Sequence, residues 1–379
     1  MTRGGFLTGA AAVGAAAVVG TGLTGPAAAA PRPDAERDTA HRGLAYRGVM
    51  YECADDDTPD TAWNRTRMRA DLRAIDRDLH ANSVVAYGTG VERLAATAAE
   101  AAGRGLHVWL QPRLGDVPER EILDHLAETG REAERLRRQG ARVYLSVGCE
   151  FVLFVPGIVP GADTLERIDN MLNGNWDPEK AQRKLDRFIP LAARTARQVF
   201  HGPLTYGSAH GDVVDWDLFD VVGVNYYGYH ADPRGYARDL APYRKWRKPV
   251  AITECGTCTF EGAPEAGGMG WNVIDYDKPK PEVLPGRVRS ERTQARYLTQ
   301  VLNVFEELDL HAAMVYEFVS PGNPHRRERR YDLDIASYSL TKAIWKTEDE
   351  PTARWHWEPK ESFHAVARHF ARAGRAGNR

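Results

Sequence analysis

The chain has 379 residues, of which 43% are hydrophobic and 27% are charged, and its formal net charge at pH 7 is -2. This length exceeds that of one small domain but suits a single α/β barrel of roughly 250 residues with enlarged loops. The near balance of charge gives no basis for binding nucleic acid or an anionic membrane, so we expect neither as a partner.

The N-terminal segment has the composition of an export signal. Residues 6–23 are rich in Ala, Gly and Val and follow Arg3, and the alanines at 27–30 offer a cleavage site. We therefore predict a secretory signal peptide over residues 1–30 and a disordered lead-in over 31–41. The mild hydrophobicity of the run favours twin-arginine export over a membrane anchor, although residues 2–7 carry one arginine where that signal has two. A secreted protein without membrane contact after processing is expected, and a retained anchor is the alternative.

Strand-like and helix-like segments alternate along the rest of the chain. Short apolar, β-rich runs predict eight strands, at 47–51, 83–87, 106–111, 143–147, 204–208, 221–225, 250–253 and 312–316. Helical spacing predicts helices at 68–79, 91–104, 119–139, 178–200, 236–246, 291–308 and 361–373, with a short one near Trp216. Strands that alternate with helices in this way are typical of a (β/α)8 TIM barrel. We assign residues 42–373 to one such catalytic barrel.

An open doubly wound sheet is the competing fold. That fold usually carries a glycine-rich phosphate-binding turn after its first strand, and residues 51–57 contain no such turn. The long connections at 151–176, at 255–288 and after the eighth strand all follow strands rather than helices. In a barrel those loops line the face that carries the active site.

Two glutamates stand where predicted strands four and seven end. Glu150 closes the run Val-Tyr-Leu-Ser-Val-Gly-Cys-Glu, and Glu254 lies in Pro-Val-Ala-Ile-Thr-Glu-Cys-Gly. A glutamate at the end of an apolar strand costs desolvation unless a partner or a function retains it. The ends of strands four and seven face each other across the mouth of a closed barrel. Two carboxylates in that arrangement can cleave a glycosidic bond.

Three short motifs carry a resemblance to a known group of enzymes. They are Ser-Val-Gly-Cys-Glu at 146–150, Val-Asn-Tyr at 224–226 and Ala-Ile-Thr-Glu at 251–254. With them the chain resembles, over roughly residues 45–345, the retaining glycoside hydrolases of the (β/α)8 superfamily often called clan A. The resemblance implies that Glu150 is the acid/base, that Glu254 is the nucleophile, and that Tyr226 donates a hydrogen bond to Glu254. It implies double displacement on an oligo- or polysaccharide, with no cofactor.

One position departs from that group. Most of its members carry Asn just before the acid/base, where the amide holds the sugar 2-hydroxyl, and this chain has Cys149 there. A thiol is a poor hydrogen-bond partner. Some branches that act on mannosides also lack the Asn. The departure leaves the sugar open and keeps an inactive or repurposed barrel as an alternative.

Sugar pockets combine flat apolar faces with planar hydrogen-bonding groups. Residues of these kinds occur at predicted strand ends and in the long loops. The substrate-binding candidates are Gln111, Arg113, Asn225, His210, Trp176, Trp271 and Glu317. The two tryptophans are favoured over others because they lie in the long loops after strands four and seven.

Metal and thiol chemistry are the remaining readings. The acidic run 55–57 is interpreted as a solvated loop rather than a divalent-metal site. Cys255 and Cys258 form either a small disulfide loop, half of a zinc site, or free thiols, and no second Cys-x-x-Cys pair accompanies them. We therefore predict no metal.

Three rival functions stay open. One is a non-catalytic barrel that binds glycan or a protein partner, and another is a metal-dependent hydrolase, which needs His and Asp at strand ends. Cys149 as a thiol nucleophile with His210 as its base is the third. The sequence leaves the sugar, the choice of endo or exo action and the oligomeric state open.

Overall fold

A computed structural model of the protein describes residues 43–54, 62–346 and 355–376. The predicted signal peptide, the lead-in and the acidic run 55–57 lie outside these residues. Eight parallel strands form a closed barrel in which each strand pairs with its neighbours and the first strand pairs with the last. The predicted (β/α)8 fold is therefore confirmed.

The barrel strands alternate with helices along the chain. The barrel strands are β1 Tyr46–Glu52, β2 Ser83–Gly88, β3 His107–Pro112, β4 Val143–Cys149, β5 Leu204–Ala209, β6 Val222–Asn225, β7 Val250–Cys255 and β10 Ala312–Val315. The helices are α1 Arg65–Arg77, α2 Val91–Gly103, α3 Glu119–Arg138, α4 Phe151–Phe154, α5 Thr164–Leu172, α6 Pro178–Val199, α7 Arg234–Leu240, α8 Glu291–Glu307 and α9 Glu361–Ala376.

The helices begin at residues that suit a helix N-terminus. Asn64, Asp177 and Ser290 each accept a hydrogen bond from a backbone N–H in the first turn of α1, α6 and α8, which satisfies a donor that the helix itself leaves free. Each helix then buries one apolar face against the barrel, as Met68 and Leu72 do in α1.

The long loops contain structure that the sequence analysis did not predict. Segment 151–176 forms α4 and α5, and segment 255–288 contains a two-stranded hairpin of β8 Ile274–Asp275 and β9 Glu282–Val283. After β10, a second hairpin pairs β11 Thr341–Trp345 with β12 Trp355–Pro359. These elements are too short to show a clear period in the sequence.

The C-terminal part of the chain packs back onto the barrel. Helix α9 contacts α8, and the indole of Trp357 donates a hydrogen bond of 2.8 Å to Asp71 on α1. Across the described ranges, no helix is both long enough and apolar enough to cross a membrane.

Candidate active site

Glu150 lies directly after β4 and precedes α4. Its backbone is left-handed, with a φ of 36°, and its N–H donates to the carbonyl of Gly207 at 2.8 Å. A non-glycine residue in this conformation is uncommon, and such residues concentrate at functional sites. The side chain is 0% exposed.

The two carboxyl oxygens of Glu150 have different surroundings. Oε1 accepts a hydrogen bond of 3.0 Å from Nδ2 of Asn225. Oε2 is buried and has no hydrogen-bond partner among the described residues. Burial, followed by the negative charge of Glu254, raises the pKa of Glu150 well above its usual range. Of the two carboxyls, Glu150 is therefore the one suited to carry a proton.

Glu254, the fifth residue of β7, has the opposite surroundings. Its Oε1 accepts hydrogen bonds from Nη2 of Arg113 and from the thiol of Cys149, the latter at 3.5 Å. Its Oε2 accepts a hydrogen bond of 2.9 Å from the hydroxyl of Tyr227. Donors on both oxygens, one of them cationic, stabilise the ionised carboxylate. Glu254 is therefore suited to act as a nucleophile.

The tyrosine that contacts Glu254 is Tyr227, so the predicted hydrogen bond from Tyr226 is wrong. Tyr226 donates instead to Asp239 at 2.7 Å, and its ring lies near those of Tyr236 and Phe305 on the helical side of the barrel. Side chains alternate between the two faces of an extended chain. Since Asn225 points to the carboxylates, Tyr226 points outward and Tyr227 points inward again.

Arg113 supports Glu254 directly, and Gln111 supports it through Arg113. Nε and Nη2 of Arg113 donate to Oε1 of Gln111 at 3.2 Å and 2.6 Å. The guanidinium also lies 4.3 Å from the ring centroid of Tyr87, a cation–π distance. Both predicted substrate-binding residues thus lie at the site, where Arg113 contacts Glu254 and Gln111 holds Arg113.

Glu317 follows β10 and faces the same side of the barrel. Its Oε2 accepts a hydrogen bond of 2.6 Å from the hydroxyl of Tyr87, and its Oε1 accepts one from Ser320. Burial raises the pKa of Glu317 above its ordinary value. Tyr87 therefore links Glu317 to Arg113, on which its ring packs.

Of the other predicted residues, His210 lies apart from this cluster, and the two tryptophans pack in or against the hydrophobic core. The ring centroid of His210 lies 5.1 Å from that of Tyr226, on the outward-facing tyrosine. Trp176 is half-buried against the hydrophobic core, and Trp271 is buried within it. Gln111, Arg113, Asn225 and Glu317 are thus brought to the glutamates, whereas His210 is not.

Several residues that contact the cluster were not among the predicted site residues, and they include Cys149, Tyr87, Tyr227 and Thr253. Tyr87 ends the second strand and was visible in the sequence as a polar strand end. Tyr227 is the inward position that the alternation of β6 selects. Thr253 precedes Glu254, and its hydroxyl donates to Oδ1 of Asn225 at 2.8 Å.

The four cysteines, all within the described ranges, are free and buried, so Cys255 and Cys258 form no disulfide. The thiol of Cys258 donates to the carbonyl of Ala336 at 3.0 Å. Within the part of the chain that is described, no group of three His, Cys, Asp or Glu side chains is arranged to hold a metal ion.

Solved structures share this fold. The GH113 beta-mannanase AaManA from Alicyclobacillus acidocaldarius aligns over 87% of this chain and 98% of its own, at 18% identity and a TM-score of 0.55. Another GH113 beta-1,4-mannanase aligns over 86% of this chain and 98% of its own, at 13% identity and a TM-score of 0.54. A calcium-binding mutant of Bacteroides uniformis beta-glucuronidase 2 aligns over 85% of this chain and 34% of its own, at 14% identity and a TM-score of 0.50.

Sequence comparisons give no match at the level of a family. No family model matches this sequence, and neither does any curated protein. At these low identities the structural similarity establishes the barrel fold, and the chemistry depends on the site itself.

Proposed function

We propose that this protein is a retaining glycoside hydrolase in which Glu150 is the acid/base and Glu254 is the nucleophile. The observation that carries the proposal is the contrast between the two buried carboxyls. Glu254 accepts hydrogen bonds on both oxygens, one of them from Arg113, whereas Glu150 keeps Oε2 without a partner among the described residues. Two neighbouring acids with opposed environments are how one site supplies an acid and a base together.

In the first step, a Glu254 oxygen forms a bond to the anomeric carbon while the bond from that carbon to the leaving oxygen breaks. Glu150 gives its proton to the leaving oxygen, so the aglycone departs as a neutral alcohol. In the second step, Glu150 takes a proton from water, and the resulting hydroxyl oxygen displaces Glu254 from the sugar. The two inversions return the original configuration at the anomeric carbon.

The neighbouring charges suit this change of role. While Glu254 is ionised, its negative charge raises the pKa of Glu150, and Glu150 holds its proton. Once Glu254 is esterified by the sugar, that charge is gone and the pKa of Glu150 falls. Glu150 is then a base when the water arrives.

The solved structures that share this fold are named as beta-mannanases and a beta-glucuronidase. These names support a carbohydrate substrate for this barrel. The composition of residues 6–23 supports export of the protein as well. N-terminal sequencing of protein recovered from the culture medium tests the export, and a start near residue 31 is the expected result.

Burial of the site favours one alternative, a barrel that binds glycan or a protein partner without turnover. Glu150, Glu254 and Arg113 are 0%, 3% and 7% exposed, and the buried ion pair between Arg113 and Glu254 is the kind of contact that blocks a relic site. Binding of a glycan without release of reducing ends is the result that would select this alternative.

The experiment that tests the proposal is a screen of the full-length protein on aryl glycosides and polysaccharides, beside Glu150→Gln and Glu254→Gln. Glu100→Gln is the matched control, since Glu100 forms a surface ion pair with Arg104 on α2. Hydrolysis by the parent and the control, lost in both site variants, is expected. Hydrolysis that survives in both site variants would show that the pair is misassigned.

Two further measurements test the retaining mechanism on any substrate that is cleaved. Proton NMR of the first product formed should show the anomeric configuration of the substrate. A 2-fluoro glycoside with a good leaving group should label the protein, and peptide mapping should locate the label on Glu254. Inverted product would exclude double displacement.

A further inference from the structure

A chain of hydrogen bonds joins the two glutamates through residues that no catalytic step uses. The Thr253 hydroxyl donates to Oδ1 of Asn225 at 2.8 Å. Nδ2 of Asn225 donates to Oε1 of Glu150 at 3.0 Å and contacts Sγ of Cys149 at 3.3 Å. The Cys149 thiol donates to Oε1 of Glu254 at 3.5 Å. All the side chains that take part in these hydrogen bonds are buried.

The direction of each hydrogen bond is fixed by the one next to it. Glu254 is held as an acceptor by Arg113 and Tyr227, so the Cys149 hydrogen points to Glu254. Burial raises the pKa of the Cys149 thiol well above its usual range, which keeps that hydrogen in place. The Cys149 sulfur can then act only as an acceptor for Asn225, so the amide must direct its NH2 group towards that sulfur.

The Asn225 amide has two orientations that differ by half a turn. In the observed one, an N–H faces Oε1 of Glu150, so a proton on that oxygen would meet another hydrogen. The proton of Glu150 must therefore be on Oε2, the oxygen without a partner among the described residues. In the reversed orientation, Oδ1 would accept a proton from Oε1, and the acidic proton would be held by the amide.

We propose that Thr253 and Cys149 are positioning residues, which orient the Asn225 amide so that the transferable proton of Glu150 is carried on Oε2. The proposal rests on the proposed function of Glu150 as the acid/base. It also gives a role to the cysteine that stands where the resembling enzymes carry Asn. In the chemical step, the Oε2–H bond breaks and the proton passes to the leaving oxygen as its bond to the sugar breaks.

The other charges around Glu150 come from separate elements. Glu254 on β7, Asp212 after β5 and Arg113 after β3 all act on its carboxyl. Substitution of Thr253 leaves these three groups and their hydrogen bonds in place, whereas substitution of Cys149 also removes a donor to Glu254. A change in the titration of Glu150 in the Thr253 variant therefore reports on the amide.

The kinetic test uses aryl glycosides whose leaving groups span a wide range of acidity. A poor leaving group needs its proton in the transition state, whereas a dinitrophenolate departs without one. Thr253→Val should lose about 10- to 100-fold in kcat/KM on poor leaving groups, a part of the typical general-acid effect, and less than threefold or so on dinitrophenyl glycosides. Thr253→Ser, which keeps the hydroxyl, should restore both. Equal loss on all leaving groups would overturn the proposal.

Two controls separate this proposal from the proposed function. Glu150→Gln measures how strongly the rate depends on the leaving group when the acid is absent. If this variant shows no dependence, the assignment of Glu150 as the acid/base is wrong. Thr205→Val removes another buried hydroxyl, which donates to the carbonyl of Val221 just before β6, and should show no leaving-group dependence. Dependence in Glu150→Gln but not in Thr253→Val or Cys149→Ala would overturn the positioning role alone.

An infrared titration tests the proposal without any substrate. The difference between the parent and Glu150→Gln isolates the carboxylic acid band of Glu150. The hydrogen bond from Asn225 lowers the pKa of this carboxyl, although burial and the charge of Glu254 raise it by more. Thr253→Val and Cys149→Ala should therefore shift the loss of that band to higher pH. An unchanged titration in both variants would overturn the proposal.

Discussion

Arg113 and Glu254 form an ion pair inside the barrel, with side chains that are 4% and 3% exposed. Removal of one partner from such a pair leaves an uncompensated buried charge, which typically costs 3–5 kcal/mol. Gln111 completes the arrangement, because its Oε1 accepts two further hydrogen bonds from the guanidinium. Each member of the pair therefore depends on the other, and Gln111 holds the guanidinium against Glu254.

We expect Arg113→Met to lower the free energy of unfolding by about 3 kcal/mol and kcat by on the order of 100-fold or more. Both losses follow from a carboxylate that keeps its charge and loses its cation. Arg69→Met removes a partly exposed partner of Glu100 and should cost under about 1 kcal/mol. Urea unfolding and initial rates measure the two quantities. Comparable stability losses in both variants would contradict the prediction.

Adjacent tyrosines provide a matched pair of substitutions. Tyr227→Phe removes a hydrogen bond to Glu254 and should lower kcat by roughly 10- to 100-fold, since one charge-assisted hydrogen bond contributes about 1.5–3 kcal/mol. Tyr226→Phe removes a hydrogen bond to Asp239 and should reduce stability with little effect on kcat. The prediction fails if Tyr226→Phe is the variant that lowers kcat.

The fall of kcat/KM at alkaline pH should occur at a higher pH than an ordinary glutamic acid would give. Activity requires Glu150 protonated and Glu254 ionised, so it falls as pH rises through the pKa of Glu150. Because burial and Glu254 raise that pKa, the limb should lie well above the ordinary range of a glutamic acid. Glu150→Gln, assayed on a substrate with a good leaving group, should lack this limb. A limb that persists in that variant belongs to another residue.

Asp71 should make folding stability fall as pH rises. Its carboxyl accepts hydrogen bonds from Tyr51 at 3.0 Å and from Trp357 at 2.8 Å, and burial raises its pKa to about 6. The native state thus binds a proton more tightly than the unfolded chain. This contribution is complete below the unfolded pKa near 4 and is lost as pH rises through about 6.

Relative to the parent, Asp71→Asn should gain up to about 3 kcal/mol of stability between pH 4 and pH 8, at 1.36 kcal/mol per pKa unit. Denaturant midpoints at the two pH values measure this gain. Asp76→Asn lies on the same helix outside the cluster and should keep the pH dependence of the parent. A constant difference between the parent and Asp71→Asn would refute the assignment.

The sequence was sufficient to predict where the candidate site lies in the fold, because parallel strands bring their C-terminal ends together whatever the loops do. Glu150, Glu254 and Asn225 follow from that rule alone. The choice of Tyr227 over Tyr226 was also within reach, since the alternation along β6 decides it. The motif at 224–226 that carries the resemblance contains Tyr226, so Tyr226 was predicted in place of the residue that the alternation selects.

The contacts of Cys149 and Thr253 could not be predicted from the local sequence pattern. Strands β4 and β5 change register between Ser146 and Cys149, and β6 and β7 change register between Val224 and Asn225. Such irregularities redirect side chains at the rim of a barrel. They depend on how four strands pair at once, and no stretch of a few residues encodes that pairing.

The pairing of β1 with β10 has a consequence for the newly made chain. Tyr46 lies opposite Ala312 in this pair, so the sheet keeps two unpaired edges until its eighth strand has been synthesised. Open edges recruit strands from other chains. A fragment that stops short of Ala312–Val315 therefore exposes β1 and β7 as aggregation sites. The same closure that holds Glu254 in register also leaves the barrel without an open edge for a strand from another copy.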